Sequence, residues 1–144
     1  MSDRMRNVLE TKGHHVETTA PAATVLEAIQ QMNAKRIGAL VVVEDGLTIG
    51  IFTERDVLMR VVARGCDPSR TCVGEVMTTK LVTVTPETRI EEAMRIVTDH
   101  RCRHLPVIDG GELRGLISAG DLTSWLVREQ QRQICDLHDY IRAA

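Results

Sequence analysis

The chain has 144 residues, 43% hydrophobic and 26% charged, which is enough to bury a core in the manner of an ordinary soluble domain. Eighteen basic against twenty acidic side chains leave a formal charge of −2, so electrostatics give no reason for a nucleic acid or anionic membrane as partner. Phe52, Trp125 and Tyr140 are too few aromatics for a base-stacking platform, and no apolar run nears the roughly 20 residues that span a bilayer. The first ten residues are too polar for a secretory leader, and Cys66, Cys72, Cys102 and Cys135 have no framework spacing. A reduced cytoplasm is the expected compartment.

In chain order, residues 2–11 carry Met5, Val8 and Leu9 at helical spacing and stop at Lys12 and Gly13, which predicts a short lead-in helix. Thr24 and Glu27 form a capping-box sequence, and Val25, Ala28, Ile29 and Met32 follow with a period near 3.6, predicting a helix over 24–35. Residues 39–44 (A-L-V-V-V-E) read as a buried strand, Asp45-Gly46 as a turn, and 47–52 as the return strand of a hairpin. A second amphipathic helix covers 54–64 and stops at Gly65. The connector is short and turn-rich, and 72–78 can form a turn of helix.

The same elements then recur. Val82-Thr83-Val84 reads as a strand, and Thr88 with Glu91 as a capping box heading a helix to about His100. Residues 105–108 and 113–117 form a second hairpin, turning through Asp109, Gly110 and Gly111. The last helix runs from Asp121 to about Ile141, and its apolar stripe outlasts its counterpart in the first half. Such a stripe folds back on the body or packs on a second chain; the second option, a homodimer, is preferred.

Residues 16–62 align on 81–127 without a gap, at an offset of 65. Thr18/Thr83, Pro21/Pro86, Arg36/Arg101, Gly50/Gly115 and Asp56/Asp121 are among the identical pairs. The chain is therefore expected to be one α+β module over 1–144, built from two tandem β-α-β-β-α units. Repeat one covers about 8–65, the connector 66–72, repeat two about 73–130, and a helical extension reaches 142.

The most informative pair of segments is G-I-F-T-E-R-D at 50–56 and G-L-I-S-A-G-D at 115–121. Each sets a hydroxyl three residues before an aspartate at a strand-to-helix junction. That spacing is itself a helix-capping pattern. It also suits binding, because an aspartate facing a crevice accepts from a ribose diol while the hydroxyl and free helix N–H groups face a phosphate. Arg60, four residues after Asp56, reads as its helical ion-pair partner, and Met32, Met59, Met77 and Met94 read as core. His100, Cys102 and His104 alternate and would share one face of a strand, which keeps a metal- or redox-responsive module as a minor alternative. Cys135 and His138 supply two ligand types on one helix, not four. No cysteine sits in a nucleophile motif, so no enzyme is expected.

Through the two G-x-x-[ST]-x-x-D segments, the strands A-L-V-V-V and H-L-P-V-I, and the prolines Pro21 and Pro86, the chain resembles a tandem pair of CBS repeats, a Bateman module. The resemblance covers about residues 8–128 and is nearest to small stand-alone bacterial members. It implies repeats packed about a pseudo-twofold axis, with two clefts that hold AMP, ADP, ATP, NAD or S-adenosylmethionine as regulatory ligand. By motif match Asp56 and Asp121 would bind ribose hydroxyls, and Thr53 and Ser118 ribose or phosphate. Thr18 and Thr83 lie on the strands whose backbone would meet the base, with Ile37, Val42, Met94 and Val107 as aliphatic walls.

Arg103 and His104 would contact phosphate, and Arg55 adds a further cation. Repeat one has Gly38 and Ala39 where repeat two has Arg103 and His104, so the two clefts are expected to differ in affinity. The implied function is a non-catalytic sensor that reports ligand level to an unidentified partner protein. The alternative is a structural dimerisation module with vestigial clefts.

Overall fold

The structure, a computed structural model, describes residues 3–143. Helix α1 (Met5–Lys12) leads in; its expected start at Ser2 lies outside the described residues. Repeat one comprises β1 (Thr18–Thr19), α2 (Val25–Lys35), β2 (Ala39–Glu44), β3 (Leu47–Thr53) and α3 (Glu54–Asp56). Helix α3 continues as a π-helix over Val57–Val62. Helix α4 (Val73–Val76) leads into repeat two, which comprises α5 (Ile90–His100), β4 (His104–Asp109), β5 (Glu112–Ser118) and α6 (Ala119–Ala143).

Local chemistry accounts for most boundaries. The Thr24 hydroxyl caps α2 by accepting from the Glu27 N–H at 3.1 Å. Asp45 and Gly46 both take positive φ (52° and 78°), as a two-residue hairpin turn between right-twisted strands requires. Both hairpins carry an irregularity at equivalent points, Val42/Val43 and Val107/Ile108. β1 runs parallel to β2, and β2 pairs antiparallel with β3.

Three expectations need correction. The cap of α5 is Arg89, without a side-chain bond, and Thr88 instead accepts from the Thr85 N–H at 3.0 Å. The offset of 65 pairs Thr24 with Arg89, so the capping-box reading at Thr88 was one residue out of register. The strand at 82–84 shrinks to a single bridge between Val84 and Val107. In repeat one the Val41 N–H donates to the Glu17 carbonyl at 3.2 Å; its counterpart is Pro106, which has no N–H to give. Met59 is not core: π-winding leaves Leu58, Met59 and Val62 exposed.

The β-α-β-β-α units pack about a pseudo-twofold axis, and each core is completed by the other's lead-in helix. Met5, Val8 and Leu9 of α1 are buried with Ile90, Leu105, Ile117 and Leu122 of repeat two. Val73 and Val76 of α4 are buried with Val25, Leu40, Phe52 and Val61 of repeat one. This exchange explains the duplicated glycines. A Cβ at Gly115 would run into the Leu9 side chain, and one at Gly50 would meet the Met77 sulfur at 2.7 Å.

Candidate functional site

Between the T-E-R-D segment of repeat one and the α5–β4 junction of repeat two lies a cavity of about 470 Å³. Thr53, ending β3, and Arg55, on α3, stand on one side; His100, Arg103 and His104 stand on the other. Arg55 spans it, donating from a guanidinium nitrogen to the Arg101 carbonyl at 3.3 Å. Arg101 caps α5 in the left-handed conformation, as Arg36 caps α2 (φ 51° and 54°). A non-glycine residue there costs roughly 1–2 kcal/mol, and it turns the chain sharply from helix into the strand that edges the cavity.

Charge is the cavity's main character. Arg55, Arg60, Lys80, Arg101 and Arg103 line it against one carboxylate, Glu54. Its apolar surface comes from Ile51, Met59 and Val82. Burial pushes the His104 imidazole below its ordinary value, helped by Lys12 and Arg103 and opposed by Glu54 and Asp121. His104 therefore serves near neutral pH as a hydrogen-bonding group, not a further cation.

Asp56 lies behind this wall and is 4% exposed. Its Oδ2 accepts from the Thr53 N–H at 3.0 Å and the Thr53 hydroxyl at 3.2 Å; its Oδ1 accepts from the Thr78 hydroxyl at 2.9 Å. Arg60 Nε stands 3.7 Å from Oδ1. The capping arrangement is thus formed, and Asp56 meets the cavity through Thr78, itself a wall residue.

Asp121 is set differently. Its Oδ2 accepts from the Ser118 N–H at 2.8 Å and from the Lys12 ammonium at 2.5 Å. Burial raises this carboxyl, but the Lys12 and Ser118 donors outweigh it and hold Asp121 below the usual carboxylate range. A smaller cavity of about 210 Å³ lies beside Lys12 and Asp121, between α1 and α6.

Of the residues singled out in the sequence, Thr53, Arg55, Arg103 and His104 come together in the large cavity. Ser118 and Asp121 occupy the equivalent junction of repeat two. Thr18 and Thr83 are exposed and are not in the cavity wall, where Val82 stands instead. Ile37 and Met94 pack against the two cores, and Val42 and Val107 are wholly buried within them. Sequence reasoning missed Lys80, Thr78 and Arg101 as wall residues and gave Arg60 only an ion-pair role. Lys80 had one available signal, its place two residues before the strand position Val82.

His100, Cys102 and His104 share the cavity, but among the described residues no three His, Cys, Asp or Glu side chains converge to hold a metal. Burial also pushes the Cys102 thiol up, away from the reactive thiolate. Among the described residues no helix is long and apolar enough to cross a membrane.

Fold and cavity together define a paired-repeat module with a cationic cleft between its halves. A CBS-domain family profile matches residues 10–63 and 73–128, and the chain belongs to that family, with two such domains in tandem. The mitochondrial CBS domain-containing protein CBSX3 of Arabidopsis thaliana is 37% identical over 150 residues, covering 98% of this chain and 73% of the relative. The CBS domain-containing protein YhcV of Bacillus subtilis is 38% identical over 118 residues, covering 82% and 84%. A solved CBS-domain structure from Burkholderia ambifaria MC40-6 superposes with a TM-score of 0.85 at 40% identity, covering 88% of this chain and 96% of that one. Proteins of this family are generally regulatory and ligand-binding.

Proposed function

We propose that the protein is a non-catalytic regulatory module that takes an adenosine-containing ligand into the large cavity and reports its level to a partner protein. The observation that carries this reading is the excess of five cations over one carboxylate around a space of about 470 Å³. Phosphates pair with Arg55, Lys80 and Arg103, the base lies against Ile51, Met59 and Val82, and Asp56 accepts from the ribose once Thr78 gives way. AMP, ADP, ATP and NAD match this charge. S-adenosylmethionine brings a sulfonium and no phosphate, so it ranks below them. Without a Phe, Tyr or Trp ring in the wall to stack on, affinity is modest and follows cellular nucleotide levels.

Thermal shift with millimolar AMP, ATP, NAD and S-adenosylmethionine tests this directly. A ligand at one hundred times its dissociation constant stabilises the fold by about 2.7 kcal/mol. No movement with any of the four leaves the structural dimerisation reading in its place.

We also propose a homodimer through α6. Val127, Ile134 and Ile141 recur every seven residues with Leu137 between, an a/d seam that is exposed in the single chain. Light scattering behind size exclusion should give twice the chain mass; a monomer at tens of micromolar refutes this part.

A further inference from the structure

Residues 65 apart are equivalent, so the wall of the large cavity has a counterpart in repeat two. Ile51, Thr53 and Asp56 correspond to Leu116, Ser118 and Asp121. On the repeat-one side Ile51 and Thr53 face open volume. On the repeat-two side an ammonium stands at the equivalent atoms: Lys12 Nζ donates to the Leu116 carbonyl at 2.6 Å and to Asp121 Oδ2 at 2.5 Å. Lys12 is delivered there by α1, whose Met5, Val8 and Leu9 are locked in the repeat-two core. Its position is therefore preset by packing.

The counterpart of Lys12 is Met77, which has no donor to offer Asp56 from its side chain. Among the described residues the one cation paired with Asp56, Arg60, is 3.7 Å away at Nε and commits another nitrogen to the Met77 carbonyl at 2.8 Å. Asp56 thus holds only neutral hydroxyl and amide donors at hydrogen-bond distance, whereas Asp121 also holds a full positive charge in direct contact. A ribose diol brings two neutral donors; it can replace the Thr78 hydroxyl on Asp56 but not the ammonium on Asp121. Four of the first cavity's five cations also have no counterpart at the second cleft, because Arg55, Arg60, Lys80 and Arg103 correspond to Gly120, Trp125, His15 and Gly38; Arg101 alone keeps one, Arg36.

We infer that Lys12 is an internal occupant of the second nucleoside site, so that each chain takes one nucleotide, at the Thr53–Arg55 cavity. This rests on the adenosine-ligand reading above and adds to it the residue that sets stoichiometry. Lys12→Met, which copies the equivalent Met77, removes the ammonium and opens the second site.

Calorimetric titration with AMP tests the inference, with ATP, NAD and S-adenosylmethionine as parallel probes. The expected result is one site per chain in the wild type, lost in Asp56→Ala. Lys12→Met should show a second, weaker event that disappears in Lys12→Met/Asp121→Ala. Two sites in the wild type, or a folded Lys12→Met that still binds one equivalent, overturns the role of Lys12 and leaves the nucleotide reading intact. No heat from any probe in either protein overturns the nucleotide reading and the inference with it. A ligand-free control is available: carboxyl NMR should find Asp121 titrating at higher pH in Lys12→Met, and an unchanged value removes the Lys12 contact on which the inference stands.

Discussion

Removing the two motif aspartates should separate their structural weights before any ligand is added. Asp56→Ala leaves the Thr53 N–H and the Thr78 hydroxyl without an acceptor behind a wall that exposes only 4% of the aspartate. Each part-buried orphan costs toward the low end of about 1–3 kcal/mol, so the loss should be about 2 kcal/mol. Asp121→Ala leaves the Ser118 N–H without its carboxylate acceptor and loses an ion pair about a third exposed, about 1 kcal/mol in total. For a chain of this size 1 kcal/mol moves the melting temperature by roughly 2–4 °C. Calorimetry should therefore place Asp56→Ala roughly 4–8 °C below wild type and Asp121→Ala only about 2–4 °C below. Equal losses, or a larger one at Asp121, would refute the argument that Asp56 is the more tightly satisfied group. The comparison also fixes the temperature at which the binding defect of Asp56→Ala can be read on folded protein.

Three further outcomes follow from contacts already described. Gly115→Ala should destabilise the wild type by about 1–3 kcal/mol and a Leu9→Ala background by much less, because the three atoms nearest the new Cβ all belong to the Leu9 side chain. Gly50→Ala should keep its cost in a Met77→Ala background, since the Thr78 backbone carbonyl stands 2.9 Å from the new Cβ; urea melts of the single and double variants decide it. With its folded carboxyl held low, Asp121 contributes stability that is present above the unfolded value near 3.9 and lost as pH falls through the folded value; Lys12→Met should flatten that acid limb in a pH series of melts. His104 acts at milder pH: below about 6.5 the unfolded chain binds a proton that the folded site resists, so stability drops with falling pH, and His104→Gln should remove this slope.

Much of this molecule could be read from the chain alone, because the duplication fixed one register for strands, turns and helices. The hairpin turns and the α2 cap rest on short-range rules. The failures have equally physical causes. Pro106 is compatible with a strand pattern, yet its missing N–H cuts short the neighbour, which no periodicity at 82–84 reveals. Thr88 satisfies a capping-box spelling one residue before the true cap. The apolar face of α1 predicted a packed helix but could not say which repeat receives it, and that crossing is what brings Lys12 to Asp121. Thr53 and Arg55 were legible as cavity-wall residues from the repeated motif, and Arg103 and His104 from the family resemblance. Lys80 and Arg101 were not, since their roles depend on how the two repeats face each other.

The exchange of lead-in helices has a consequence for how the chain is divided. A cut in the connector between Cys66 and Cys72 would not free two independent halves. The first fragment would carry α1 without the Ile90, Leu105 and Leu122 surface that buries it, and would lack Val73 and Val76 over its own Phe52 and Val61. The second fragment would be short of Met5, Val8 and Leu9. The two repeats are laced together like a crossed pair of straps, so strain imposed at the cavity of one has a covalent route, through the lead-in helix, into the core of the other.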